Sequence, residues 1–344
     1  MNTTKKVLLL IIIVVAGITA FKWDIVSYGW MQGKGQLKIL YQAKPLESFL
    51  NDVNYPDSLK AKIRLVQSVK SFGESIGMNP SENYSTIYDQ GNQPILWNVT
   101  ACAPFSFEQV TWSFPLLGAV GYKGYFDFEK AKSEEAKWKA MSYDTRIRTV
   151  SAWSTLGWFK DPIMSNMLYR SDGYLAETIL HELLHGTVFF KDSLVFNENL
   201  ASFIGEQAAI QFLNKQYGDS SAQLLSYLQA EKDATKFQQH ILSGKEKLDS
   251  LYQTFNQSGD TVSMLEQKTQ TIFHIISTLD TVSFYDKRYL HIFDEQKPNN
   301  AYFMAYQRYH SQKDLLDSLY DLQGRNIKSF IEYCKNSEGS NVSD

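Results

Sequence analysis

Five residues constrain this chain more than any others: His181-Glu182-Leu183-Leu184-His185. They lie in a stretch where Leu175, Ile179, Leu180, Leu183, Leu184 and Val188 recur at helical spacing. On a helix, residues four apart share a face, so the two imidazoles can converge on one metal ion. Glu182 projects beside them, where a carboxylate can accept a proton from water. Two neutral imidazoles and one carboxylate form a ligand set suited to zinc, with a fourth position left open. The spacing therefore calls for a third ligand. Asn197-Glu198 opens the next apolar-periodic segment, and Glu198 follows His185 after a stretch long enough to turn the chain back. Glu206, two turns further on, is the rival. Glu177, one turn before His181, could receive the outward N–H of an imidazole, although a helix carboxylate is ordinarily a solvated charge.

The 344 residues suffice for one large domain or two modest ones. With 44% hydrophobic and 21% charged residues, the composition is that of a globular protein. A net charge of −3 and the lack of a basic patch exclude nucleic acid as the main partner. Cys102 and Cys334 form no C-x-x-C pair, so a thiolate zinc site is unsupported; one disulfide or two free thiols both fit.

The pattern is that of a mostly helical α+β protein, with a small sheet before the histidine helix and a helical C-terminal half. Lys5 and Lys6 precede an uncharged apolar run at 7–21, short for a bilayer span of about 20 residues. We expect residues 1–27 to act as an uncleaved signal anchor, with a cleaved peptide as the alternative. The lysines then stay inside and the body is exported to the periplasmic side of a bacterial membrane. Residues 28–335 form the body, and the polar residues 336–344 a disordered tail.

Helices are expected over 32–42, 57–76 and 129–141. Strands are expected over 95–101, 110–114, 120–128 and 145–159, with Trp153–Trp158 as an edge for extended substrate. After the site, helices are expected over 198–217, 221–255, 261–284, 301–310 and 314–334. Tyr302, Tyr306 and Tyr309 follow the Pro298 break and could supply an oxyanion donor, Tyr306 first. His240, His274, His291 and His310 lack ligand spacing.

Followed by F-N-E-N-L-A-S-F, the H-E-L-L-H motif resembles the gluzincin peptidases, where H-E-x-x-H precedes N-E-x-x-A on the next helix. The chain is similar over a longer stretch to the bacterial "putative aminopeptidase" family. The shared segments are G-Q-L-K-I-L-Y-Q-A-K-P at 35–45, W-S-F-P-L-L-G-A-V-G-Y-K-G-Y-F-D at 112–127, S-T-L-G-W-F-K-D-P at 154–162 and N-N-A at 299–301. The resemblance implies a zincin-like metallopeptidase acting on peptides. It implies Zn2+ held by His181, His185 and Glu198, with Glu182 as general base. Aminopeptidase-N-like enzymes carry a similar N-E-G-F-A-S-Y after a longer gap, and their G-x-M-E-N segment is absent here. Exopeptidase and endopeptidase action both stay open, as does a zincin-fold binding protein with an inactive site.

Overall fold

The computed structural model describes residues 23–91, 93–114, 118–150, 160–191, 193–255, 259–308 and 312–337. The chain begins with α1 (Trp23–Gln42), β1 (Lys44–Pro45), α2 (Leu46–Leu50) and α3 (Asp57–Ser75). Short strands follow: β2 (Thr86–Tyr88), β3 (Trp97–Cys102), β4 (Trp112–Phe114), β5 (Gly118–Val120) and β6 (Lys123–Tyr125). Helix α4 (Phe128–Ala140) precedes β7 (Asp144–Thr149) and β8 (Ile163–Met164). A 3-10 turn, Ser165–Tyr169, leads into α5 (Asp172–His185) and α6 (Leu194–Tyr217). The rest is helical: α7 (Ala222–Gln253), α8 (Thr261–Ser277), α9 (Asn300–Arg308), α10 (Lys313–Leu322) and α11 (Ile327–Ser337).

This is a mostly helical α+β fold in which every described strand precedes the histidine helix. The strands form three small sheets, ordered β1-β2-β8, β6-β3-β7 and β4-β5. The main core packs Ile63, Val66 and Val69 of α3 against Ile179, Leu180 and Leu183 of α5 and Ile204, Ala208 and Phe212 of α6. A second cluster joins Phe237, Ile241 and Leu248 of α7 to Ile272 and Ile275 of α8 and Phe303 of α9.

Several boundaries differ from expectation, each for a local reason. Helix α1 runs from Trp23, earlier than the Gln32 expected. Tertiary bonds hold its early turns: Tyr28 Oη and Gln32 Nε2 both donate to the Gly124 carbonyl, at 2.9 and 2.6 Å. Gly35 is required there, because a Cβ would lie 2.2 Å from the Phe126 ring. The expected strand over 120–128 divides into β5 and β6 around Gly121-Tyr122. Phe128 joins a helix instead, because Asp127 caps it, accepting from the Glu129 and Lys130 N–H groups. The expected helix over 261–284 stops at Ser277 and passes into a 3-10 turn over Thr278–Thr281. The expected helix over 314–334 breaks at Gly324 and Arg325, whose φ values of 63° and 52° reverse the backbone.

Strand β7 is an edge strand in its sheet. The proposed substrate edge Trp153–Trp158 lies outside the described residues, as do the apolar run 7–21 and residues 338–344 of the tail. Among the described residues no helix is long and apolar enough to cross a membrane.

Candidate metal centre

Helix α5 is tied at both ends. Ser171 caps its N-terminus by accepting from the Tyr174 N–H at 3.4 Å. Lys62 donates to Asp172 Oδ1 and to the Arg170 carbonyl, both at 2.6 Å. At the other end Asn79 Nδ2 donates to the Gly186 carbonyl at 3.1 Å, and the Asn79 N–H to Thr187 Oγ1 at 3.0 Å. Between these ties Leu175, Ala176, Ile179, Leu180, Leu183 and Leu184 are buried. That apolar face fixes the rotation of the helix and turns Glu177, His181, Glu182 and His185 away from the main core.

Helix α6 packs along α5, and closely at Gly205. A Cβ there would lie 3.2 Å from the Glu177 carbonyl and 3.3 Å from His181 Cβ. The helix begins at Leu194, earlier than expected, so Asn197-Glu198 is not its first turn. Asn197 is buried and serves the loop instead. The Phe190 N–H donates to its Oδ1 at 2.8 Å, and its Nδ2 donates back to the Phe190 carbonyl at 2.7 Å. This closes the connection between the helices and presents Glu198 to the histidines.

The three side chains meet. The two Nε2 atoms of His181 and His185 are 3.2 Å apart. Glu198 Oε2 lies 3.6 Å from His181 Nε2, and its Oε1 lies 3.6 Å from His185 Nε2. A tetrahedron with bonds of about 2.0–2.1 Å has edges of roughly 3.3–3.4 Å, so the three donors fit three corners around a zinc ion. Among the described residues this is the only such group of metal-ligating side chains.

Electrostatics distinguishes the two histidines. Burial lowers His185 to about 4, helped by the neighbouring His181 and opposed by Glu198. Burial also works against the charge on His181, but the hydrogen bond it donates to Glu198 and the charges of Glu182, Glu198 and Glu177 outweigh it and raise its pKa. Glu182 lies towards fully buried Tyr84, whose phenol is pushed up by burial and then by Glu182 and Asp161.

Ser202 is a site residue that the pattern did not reveal. Its Oγ is 3.5 Å from His181 Nδ1, where it can fix the ring's tautomer. Its only sequence signal is its position one turn after Glu198, on the same face. Glu177 does not take that role: its carboxylate accepts from Tyr227 Oη at 3.1 Å. Burial, then Glu231, raises Glu177 to about 7. Nor is it a solvated helix charge, since Tyr227 of α7 covers it. Glu206 stands apart from the donor group and pairs with Lys313 at 3.0 Å.

The tyrosine hydroxyls of α9 serve each other. Tyr302 Oη and Tyr306 Oη are 3.0 Å apart, and both rings pack in the second core. Tyr309 and His310 lie outside the described residues. His240 bonds the Ile275 carbonyl at 2.8 Å, and His291 pairs with Asp294 at 3.0 Å. Cys102 and Cys334 are free and buried, and burial pushes both thiols up to about 12.

The family model described as "Putative aminopeptidase" matches residues 27–342. The chain belongs to the putative aminopeptidase family. The match runs from within α1 to beyond α11 and spans His181, Glu182, His185 and Glu198. No curated protein and no solved structure matches the chain.

Proposed function

We propose that this protein is a zinc-dependent peptidase of zincin type, with His181, His185 and Glu198 as the metal ligands. The observation that supports the reading is the spacing of the three donor atoms, 3.2, 3.6 and 3.6 Å, beside the carboxylate of Glu182. A bound zinc supplies a Lewis acid that polarises a carbonyl and makes water more acidic. The protein's own residues do the rest. His185 offers a neutral imidazole because burial keeps it unprotonated. Ser202 orients His181. Glu182 takes a proton from the attacking water and passes it to the leaving amine.

The test is Glu182→Gln assayed with the wild type against a peptide library, zinc being measured on both. The variant should retain about one zinc per chain and lose roughly 10²–10⁴-fold in kcat. Undiminished hydrolysis would exclude Glu182 as the base. His181→Ala should lose the metal; a wild type that binds none would support an inactive zincin-fold binding protein instead. Aminopeptidase action further requires that N-acetylated peptides resist cleavage; equal rates on free and acetylated peptides would make the enzyme an endopeptidase.

The same reading places the protein at a membrane, on the exported side, anchored through the apolar run at 7–21. Support comes from α1, which follows that run directly. Trp23, Val26, Trp30, Leu37 and Tyr41 form a stripe on one face, opposite buried Met31 and Ile39. Trp30 is 76% exposed and Tyr41 85%, an unusual fate for large rings in contact with water alone. Tryptophan and tyrosine favour the headgroup layer of a bilayer.

A further inference from the structure

The sheet β6-β3-β7 has two unlike faces. Side chains alternate along a strand, and the register decides which stand together. Asn98 is opposite Arg148, and Thr100 is opposite Arg146. The intervening residues Trp97, Val99 and Ile147 enter a small core with Tyr125 and Ala131. Two guanidinium groups, an amide and a hydroxyl therefore share the other face.

Helix α9 covers that polar face, held by the N-N-A segment. Asn299 Nδ2 donates to the Thr145 carbonyl at 2.9 Å. The Asn300 N–H donates to Asp144 Oδ2 at 2.8 Å, and its Nδ2 to the Ala103 carbonyl at 2.9 Å. Ala301 and Ala305, one turn apart, then face the sheet, and their methyl groups leave space. The result is a small cleft, open to solvent, lined by Asn98, Thr100, Gln109, Tyr122, Arg146 and Arg148.

The charge in this cleft is unbalanced. Several inner cations elsewhere pair with carboxylates, Lys268 with Asp144 at 2.5 Å, Lys62 with Asp172 at 2.6 Å and Lys123 with Glu134 at 3.2 Å, while Arg170 donates to Thr178 Oγ1 at 2.6 Å instead. Among the described residues no carboxylate lies within ion-pair distance of Arg146 or Arg148. Arg146 stacks on the Tyr302 ring at 4.3 Å. Burial, and then the like charge of Arg148, work against its protonated form, while the Tyr302 and Tyr306 phenols favour it. Burying a cation without a counter-charge is costly, and paired guanidinium forks match the geometry of carboxylates and phosphates.

We propose that this cleft binds an oxyanion, a carboxylate or a phosphate group, between Arg146 and Arg148. The site is built from the sheet and α9, and its occupancy does not depend on the metal ligands.

The experiment is calorimetric titration of the full-length chain, in detergent and at low ionic strength, with propionate, inorganic phosphate and propionamide. At least one anion should bind and propionamide should not; which anion binds identifies the source of the oxyanion. His181→Ala should bind the anion as the wild type does, which separates the cleft from the metal centre. Arg146→Gln/Arg148→Gln should weaken binding by at least about tenfold, the value of one lost charged hydrogen bond. Arg146→Gln could disturb the fold, so two milder variants accompany it. Arg148→Gln acts at an exposed position, and Ala305→Phe fills the cleft without changing charge; each should also weaken binding. Equal affinity for propionamide, wild-type affinity in the arginine and Ala305 variants, or loss of binding in His181→Ala alone would each overturn the proposal.

Discussion

Asn197→Ala should destabilise the protein well beyond what a loop residue usually contributes. Asn197 is 2% exposed and makes both of its bonds to one residue, taking the Phe190 N–H at 2.8 Å and donating to the Phe190 carbonyl at 2.7 Å. Each bond contributes about 1 kcal/mol net, and a backbone group left buried without a partner costs about 1–3 kcal/mol. Phe190 is itself buried, so water cannot readily replace the amide. The expected loss is about 2–4 kcal/mol, a large share of a typical total of about 5–15 kcal/mol. Asn197→Asp should be at least as damaging, since it puts a carboxylate oxygen where the amide donated to a carbonyl. Urea unfolding of metal-free wild type and variants measures this, and zinc titration gives the second reading. The loop sets the distance between His185 and Glu198, so zinc affinity should fall along with stability. If Asn197→Ala changed stability by less than about 0.5 kcal/mol and left zinc affinity intact, the argument that this amide closes the site would be refuted.

Three further outcomes concern the histidine pair and the membrane. With His185 lowered to about 4 and His181 held above its ordinary value of 6.5, the metal-free pair at pH 6 carries its proton on His181. Zinc binding at that pH should then release about one proton from the pair, and release of two in calorimetry across buffers of different ionisation enthalpy would contradict the assignment. The stability signs are opposite for the two rings. Unfolded His185 binds more protons than folded between about pH 6.5 and 4, so its contribution is lost as pH falls through that window. His181 contributes below its unfolded pKa and loses that contribution as pH rises through the folded one. At the membrane, Trp23→Glu/Trp30→Glu should leave folding intact, because both rings are exposed, and should reduce association with vesicles of mixed zwitterionic and anionic lipid. Unchanged binding would remove α1 from the lipid contact.

Much of the site was legible because helix geometry is local. Spacing alone places His181 and His185 on one face, and the apolar residues between them say which way that face turns. The choice of Glu198 over Glu206 needed more: it depends on how sharply 186–197 turns, and Asn197 decides that by bonding Phe190 rather than capping a helix. Ser202 was hidden because serine on a helix carries no pattern. The paired arginines were hidden because each looks like an ordinary polar position on a strand until the register with β3 is known. Boundary errors at Phe128 and Gln32 have the same origin, a cap in one case and tertiary bonds to Gly124 in the other.

The sequence by itself determined the mostly helical α+β class, the position of the histidine helix and the residue types available for metal chemistry, because periodicity and residue chemistry act over a few neighbouring positions. Tertiary structure decided which carboxylate reaches the histidines, which hydroxyl steadies His181, and that two arginines share a cleft with no counter-charge among the described residues. Those outcomes depend on distances between segments far apart in the chain, and such distances are set only when the helices and sheets pack.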